Sequence, residues 1–172
     1  MSNGPKNMNF APDISEFLAR ARADLRMGLP VVIQSGERAI LACAAETLTE
    51  DRLNALQTLP GGAVVAITAR RAETLKARAY DGDLARVVIP ADVDAAWVKA
   101  VADPADDLRA PMKGPLNTVR DGTADLYRTA ISLTKAARLL PAIASVPIAN
   151  GAEFSTRHML TYIDQEQVPS RL

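Results

Sequence analysis

Cysteine is nearly missing from this sequence. Cys43 is the single cysteine among 172 residues, which excludes an internal disulfide and a zinc site built from several cysteines. Cys43 lies in the apolar run AILACA, and free cysteine is among the residue types most often buried. We therefore interpret it as a buried, inert thiol.

Aromatic residues and net charge are also scarce. Phenylalanine, tryptophan and tyrosine together make up 4% of the chain, and 20 basic residues balance 20 acidic ones. A nucleic-acid-binding domain usually has a basic excess and aromatic rings on which bases stack. The composition therefore disfavours a nucleic-acid partner. The lone Trp97 is interpreted as an anchor in the core or at an interface.

Long apolar runs are absent as well. No stretch approaches the roughly 18 apolar residues that a membrane-spanning helix needs, and the N-terminal residues lack the pattern of a signal peptide. We expect a soluble, cytoplasmic protein with no membrane partner.

The segment from Leu29 to Leu56 organises the rest of the chain. Val31–Gln34 and Ala39–Ala44 are continuous apolar or β-branched runs, which is typical of central strands covered on both faces. Ser35-Gly36 between them supplies a turn, and Thr49 is placed to cap a following helix. The sequence therefore predicts two strands joined without a crossover helix, followed by a helix.

Strand and helix patterns alternate on both sides of this segment. Asp13 and Glu16 have the spacing of a capping box, and Gly28 is a suitable helix end. Further strands are predicted at 63–68, 86–89, 142–149 and 159–163. Further helices are predicted at 69–78, after a cap at Asp92 or Asp94, and at 123–140. Pro147 is expected at an edge or bulge, and Asn150-Gly151 is expected to form a turn.

This alternation predicts the fold class and the domain limits. We expect an α/β (α+β) fold, a three-layer α-β-α sandwich around a mixed sheet. A single domain is expected over residues 13–165, after a flexible arm at 1–12 and before a tail or linker start at 166–172. Residues 103–122 contain three prolines and two glycines, so this stretch is predicted to be largely irregular and mobile.

Short motifs across residues 13–165 match a known family. They are the segments Arg26-x-Gly-x-Pro-Val-Val32, Ala44-Ala-Glu-Thr-Leu-Thr49, Gly61-Gly62, Ala130–Ala142 and Met159–Ile163. They resemble the 3,4-dihydroxy-2-butanone 4-phosphate (DHBP) synthases of riboflavin biosynthesis, in particular the divergent copy that precedes GTP cyclohydrolase II in some bacteria. The resemblance implies the DHBP synthase fold, a homodimer and a GTP cyclohydrolase II partner.

The departures from the family concern its catalytic residues. Between its first two strands the family has an acidic loop whose carboxylates hold Mg²⁺, whereas here Ser35–Arg38 contains a single carboxylate. The family's His-Thr-Glu-Ala motif, which supplies a metal-binding histidine, corresponds to Asp125–Ala130, where no histidine is present. The family Mg²⁺ site is therefore expected to be lost, and with it DHBP synthase activity. One cysteine also cannot supply the zinc site of the cyclohydrolase half.

Five residues remain as candidate site residues. Glu37 and Arg38 in the predicted turn are either functional or solvated. Glu46, at a strand end, is catalytic, or it caps a neighbouring helix or pairs with Arg38. Arg70 and Arg71 either bind a phosphate near a helix start or form a solvated basic face.

Two functions follow from these observations. The first is a degenerate DHBP synthase-like domain of riboflavin biosynthesis that acts as a non-catalytic dimerisation or regulatory module. The alternative is a divergent enzyme acting on a phosphorylated sugar or nucleotide-derived metabolite through Glu46, Arg38 and Arg70. His158 is interpreted as a surface or interface histidine, and no metal ligands are assigned.

Overall fold

A computed structural model describes residues 10–108 and 115–172 and places six strands in one sheet. The sheet order is β4-β3-β5-β2-β1-β6. The strands are β1 (Val31–Ser35), β2 (Arg38–Ala44), β3 (Val64–Thr68), β4 (Leu84–Val88), β5 (Ala142–Ile148) and β6 (Tyr162–Asp164). β1 and β6 are parallel, and the other neighbouring pairs are antiparallel. The sheet is therefore mixed, as predicted.

Helices cover both faces of this sheet. They are α1 (Ile14–Arg26), α2 (Glu50–Gln57), α3 (Ala69–Thr74), α4 (Ala95–Ala102), α5 (Asp125–Ala136) and α6 (Gly151–His158). α1 and α5 pack with one set of strand side chains, while α2, α3, α4 and α6 pack with the alternate set. The predicted three-layer architecture is confirmed.

The first helix begins and ends where the sequence predicts. The carboxylate of Asp13 accepts the N–H of Glu16 at 2.9 Å, and Glu16 accepts the N–H of Asp13 at 3.0 Å. Gly28 has φ +83°, and a Cβ at this position would lie 2.9 Å from the carbonyl oxygen of Thr47. A glycine is therefore needed both for the backbone conformation and for the close approach.

The predicted turn at Asn150-Gly151 is wrong, because these residues begin a helix that was not predicted. The side chain of Asn150 accepts the N–H of Glu153 at 3.2 Å and caps α6. A Cβ on Gly151 would lie 2.5 Å from Oε1 of Gln34 and 2.9 Å from Cβ of Ala39. Gly151 thus lets the first turn of α6 lie close against the β1–β2 hairpin, and the last strand starts later than expected, at Tyr162.

Two other helices are shorter than predicted. α3 ends at Thr74 and α5 spans Asp125 to Ala136, against the expected 69–78 and 123–140. The chain turns after each helix through a non-glycine residue of positive φ, Lys76 (59°) and Arg138 (62°). Because glycine is the usual residue at such positions, the sequence gives no clear stop signal there.

Pro147 lies in a central strand but has a strand neighbour on one side only. β5 is flanked by β3 and β2, and Pro147 pairs with Ile40 of β2. The register with β3 ends at Ser145, so the missing N–H of Pro147 interrupts no ladder on that side. The proline therefore occupies a local edge.

The irregular stretch after α4 contains more structure than expected. Pro104–Asp106 form one 3₁₀ turn. The N–H of Val88 donates to the carbonyl of Asn117 at 2.7 Å, and the N–H of Val119 donates to the carbonyl of Arg86 at 2.8 Å. Residues 117–119 thereby cover the outer edge of β4 and limit unwanted strand pairing.

Two predictions fall outside the described part of the chain. They concern residues 1–9 of the N-terminal arm and residues 109–114 of the irregular stretch. Within the described residues, no helix combines the length and apolar character needed to cross a membrane.

Candidate functional site

A cavity of about 360 Å³ lies where the β1–β2 turn meets the N-terminal end of α5. Glu37 and Arg38 of the turn form one side, and Thr123, Leu126 and Tyr127 form the other. The fold therefore brings together the two segments in which the sequence departs from the DHBP synthase motifs, Ser35–Arg38 and Asp125–Ala130.

The turn is held in place by hydrogen bonds on both sides. The guanidinium of Arg38 donates to Oγ1 of Thr123, and the hydroxyl of Ser35 donates to Glu166 at 2.7 Å. The Ser35 hydrogen bond is the main reason that the pKa of Glu166 is lowered. Glu37 is exposed at the cavity mouth. Of the two turn candidates, Arg38 is the one with a specific partner.

Arg86, one member of a buried ion pair, lines the cavity on the β4 side. Arg86 donates to both carboxylate oxygens of Asp81, at 2.9 and 3.0 Å, and to the carbonyl of Asp121 at 2.8 Å. Its guanidinium carbon lies 5.4 Å from the ring centroid of Tyr127, within the range of a cation–π contact. Burial raises the pKa of the Tyr127 phenol. Sequence reasoning missed this group, although a charged residue inside the apolar run LARVVI was a detectable signal.

Glu46 has a structural partner elsewhere in the molecule. It is exposed in the turn after β2, and its Oε1 accepts the N–H of Leu140 at 2.8 Å. Arg38 starts β2, so the two residues lie at opposite ends of a strand and are roughly 25 Å apart at about 3.3 Å per residue. The expected Glu46–Arg38 pair is therefore not formed. Glu46 instead joins the turn after β2 to the turn before β5.

Arg71 is buried and fully engaged within the protein. It donates to the carbonyls of Val101 and Ala100 at 2.8 and 3.0 Å, and to both oxygens of Asp107 at 2.7 and 2.8 Å. These contacts fix the end of α4 and the residues after it. Neither interpretation offered for Arg71, a phosphate ligand or a solvated cation, describes this arrangement.

Arg70 lies on the opposite side of the sheet from Arg71. It is exposed at a cleft of about 300 Å³ that it shares with Arg128 and Lys135 of α5. Arg128 is already paired there with both oxygens of Asp83, at 2.7 and 2.8 Å. The structure therefore separates the two arginines that the sequence grouped as a phosphate site.

The single cysteine and the single histidine are found as expected. Cys43 is 1% exposed, and burial raises the pKa of its thiol to about 12. His158 is exposed at the end of α6, with its ring centroid 4.4 Å from that of Phe154. Trp97 is half-buried and packs against the core.

Comparison with family models gives no match. A curated relative, GTP cyclohydrolase-2 of Azospirillum brasilense, is 29% identical over 150 residues, which are 84% of this chain and 39% of the relative. The chain thus spans about two fifths of that relative's length.

Solved structures give a consistent answer on the fold. A DHBP synthase from Candida albicans matches with a TM-score of 0.62 at 18% identity, covering 92% of this chain and 96% of that one. A DHBP synthase in complex with two magnesium ions also matches with a TM-score of 0.62, at 16% identity over 91% of this chain and 94% of that one. This chain has the DHBP synthase fold.

The residues of the cavity do not fit magnesium in the way the resemblance to DHBP synthases implies. Glu37 is the one carboxylate among the described residues that line it. Leu126, an apolar residue, forms the wall in the segment that matches the metal-binding histidine motif. Across residues 10–108 and 115–172, no group of three or more histidine, cysteine, aspartate or glutamate side chains is placed to hold a metal.

Proposed function

We propose that this chain is a non-catalytic module with the DHBP synthase fold that is associated with GTP cyclohydrolase II in riboflavin biosynthesis. The observation that carries the proposal is the composition of the cavity at the β1–β2 turn. It is formed by the two segments that correspond to the family's catalytic motifs, yet its described lining has one carboxylate, Glu37, beside Leu126 and Tyr127.

The chemistry of a DHBP synthase makes this composition informative. Enolising a sugar phosphate requires a base near the substrate and a group that stabilises the developing oxyanion, a role that metal ions often fill. The raised pKa of Tyr127 keeps its phenol protonated near neutral pH, so it is a poor base. Arg86 is already committed to Asp81. Among the described residues of the cavity wall, Glu37 is the one carboxylate left to supply acid–base chemistry.

The similarity to GTP cyclohydrolase-2 supports the proposed partner. The aligned region covers 39% of that relative, so it matches one part of a longer protein. Since this chain has one cysteine, it does not supply a multi-cysteine zinc site by itself. We propose that it acts as a homodimer, and that it scaffolds or regulates a cyclohydrolase rather than performing its reaction.

The scaffold role is tested by sedimentation velocity at micromolar concentration, followed by mixing with a separately expressed GTP cyclohydrolase II. A dimer that co-sediments with the cyclohydrolase, or that alters its rate of GTP turnover, supports the proposal. A strict monomer that neither binds the cyclohydrolase nor changes its rate overturns it.

A divergent enzyme is the second candidate, and Arg38 is the observation that favours it. This exposed cation lies at the mouth of a 360 Å³ cavity beside an exposed carboxylate, an arrangement suited to a phosphorylated metabolite. Thermal-shift measurements with ribulose 5-phosphate, GTP and flavins test this alternative. Stabilisation that is lost in both Arg38→Gln and Glu37→Gln favours the enzyme, whereas no stabilisation across the panel favours the module.

A further inference from the structure

A second cavity, of about 280 Å³, lies between α2 and α6 on the opposite face of β2 from the first one. Leu41 and Cys43 of β2 and Leu56 of α2 form its floor, and Phe154 and Leu160 form one side. These side chains are apolar or weakly polar, so the cavity favours an apolar ligand body. It lies apart from the β1–β2 turn and from every residue assigned above to that site.

The cavity between α2 and α6 is bordered by one arginine and one histidine. Arg52 and His158 line it, and no described carboxylate does. Arg52 is half-buried, and within the described residues its guanidinium has no hydrogen bond or ion pair. Arg52 lines the cavity together with Cys43, and its charge opposes the larger effect of burial on the pKa of the Cys43 thiol. A half-buried arginine without an anionic partner has free N–H donors and an unbalanced charge, and a ligand carboxylate would accept hydrogen bonds from those donors.

We propose that the cavity between α2 and α6 binds a small carboxylic acid with a compact apolar body. The apolar body contacts Leu41 and Leu56, and the carboxylate accepts hydrogen bonds from Arg52 at the mouth beside His158. A planar guanidinium matches a carboxylate with two parallel hydrogen bonds. The site is independent of the proposed module function, because it shares no residue with the cavity at the β1–β2 turn.

The test uses the whole chain and two probes of nearly the same shape, indole-3-acetate, which ends in a carboxylate, and indole-3-acetamide, which ends in an uncharged amide. Binding is measured by isothermal titration calorimetry and by amide chemical shifts. We expect saturable binding of the acetate, with shifts in α2 and α6, and at least about tenfold weaker binding of the amide, since a charge-assisted hydrogen bond is lost.

Two variants locate the site, each with a matched control. Arg52→Gln removes the cation, and Ala55→Phe places a ring at the mouth from an exposed position of α2. We expect at least about tenfold weaker acetate binding in both. Arg78→Gln and Ala96→Phe change an exposed arginine and an exposed helical alanine elsewhere, and we expect no effect on binding.

Three results overturn the proposal: equal binding of the two probes, unchanged binding in both cavity variants, or no saturable binding at millimolar probe. Far-UV circular dichroism establishes that each variant is folded before it is compared. Arg38→Gln separates this inference from the proposed function, because it changes the other cavity and is expected to leave acetate binding intact.

Discussion

Two arginine–aspartate pairs in this molecule have the same chemistry and different burial. The side chains of Arg86 and Asp81 are 6% and 8% exposed, whereas those of Arg128 and Asp83 are 43% and 56% exposed. Removing one member of a buried pair leaves a charge without a partner in a poorly solvated place. At the surface, water replaces the lost partner at little cost.

We predict that Asp81→Ala lowers the free energy of unfolding by about 3–5 kcal/mol, and that Asp83→Ala lowers it by at most about 1 kcal/mol. Urea-induced unfolding at neutral pH measures both. Hydrogen bonds from Arg128 lower the pKa of Asp83, so its small contribution is present above the ordinary aspartate pKa. It is lost as the pH falls through the lowered pKa. Similar losses in the two variants would contradict this account of Arg86.

Glu46 is predicted to act as a hydrogen-bond acceptor and not as a charge. Glu46→Gln keeps an oxygen that can accept the N–H of Leu140, so we expect almost unchanged stability. Glu46→Ala leaves that N–H without its partner, and we expect a loss of roughly 0.5–1.5 kcal/mol. The same urea titration compares them. Equal destabilisation by Gln and Ala would show that the negative charge of Glu46 is what matters.

Cys43 is predicted to report global unfolding. A thiol with a pKa of about 12 has a thiolate fraction at pH 8 roughly a thousandfold below that of a free cysteine. Iodoacetamide labelling followed by mass spectrometry should therefore be slow in the native protein and rapid in urea. Rapid labelling of the native protein would show that the thiol is accessible and contradict its assignment to the core.

At the scale of elements, predictions succeeded where local sequence and tertiary structure favour the same conformation. The Asp13 capping box, the Thr49 cap and the apolar runs of β1 and β2 are local signals, and burial on both faces reinforces them. α6 was missed because its helix is short and mainly polar. Its position depends on Gly151 lying close to β1, a contact that no local pattern encodes.

Part of the candidate site could also be predicted from local sequence, and part of it depends on tertiary structure. Motif resemblance selected Glu37 and Arg38, and the fold places them in a cavity with Leu126 and Tyr127. Arg70 and Arg71 are adjacent in sequence, yet their side chains lie on opposite faces of the sheet. Neither that separation nor the Asp81–Arg86 pair follows from spacing along the chain. The separation depends on how helices pack on the sheet, and the pair depends on the path of the loop before β4.

Adjacent glycines after α2 provide a test of element packing. A Cβ on Gly61 would lie 2.5 Å from the carbonyl oxygen of Pro147, whereas a Cβ on Gly62 meets nothing within 4 Å. We predict that Gly61→Ala costs about 1–3 kcal/mol through overpacking against β5. Gly62 has φ +79°, and Gly62→Asn should cost less because asparagine tolerates that conformation. Thermal unfolding compares the two, and a larger loss at Gly62 would contradict the close approach of Gly61 to Pro147.

At the scale of the whole molecule, the fold is that of the DHBP synthases, whereas we propose that their chemistry is absent. That fold covers nearly the whole chain, and the cavity at the β1–β2 turn lies between the two segments matched to that family's motifs. Its described lining includes one carboxylate, an apolar residue in the histidine segment and an arginine already paired within the protein. A sheet with helices on both faces is stabilised by its core, so such a fold can be retained when site residues change.

The most direct test of the proposed non-catalytic role is a DHBP synthase assay of the purified chain with ribulose 5-phosphate and Mg²⁺. Product is followed by NMR against a reaction without protein. We predict no product above that background, and no difference between the unmodified chain and Glu37→Gln. Turnover by the unmodified chain that Glu37→Gln abolishes would contradict this prediction and identify Glu37 as a catalytic residue.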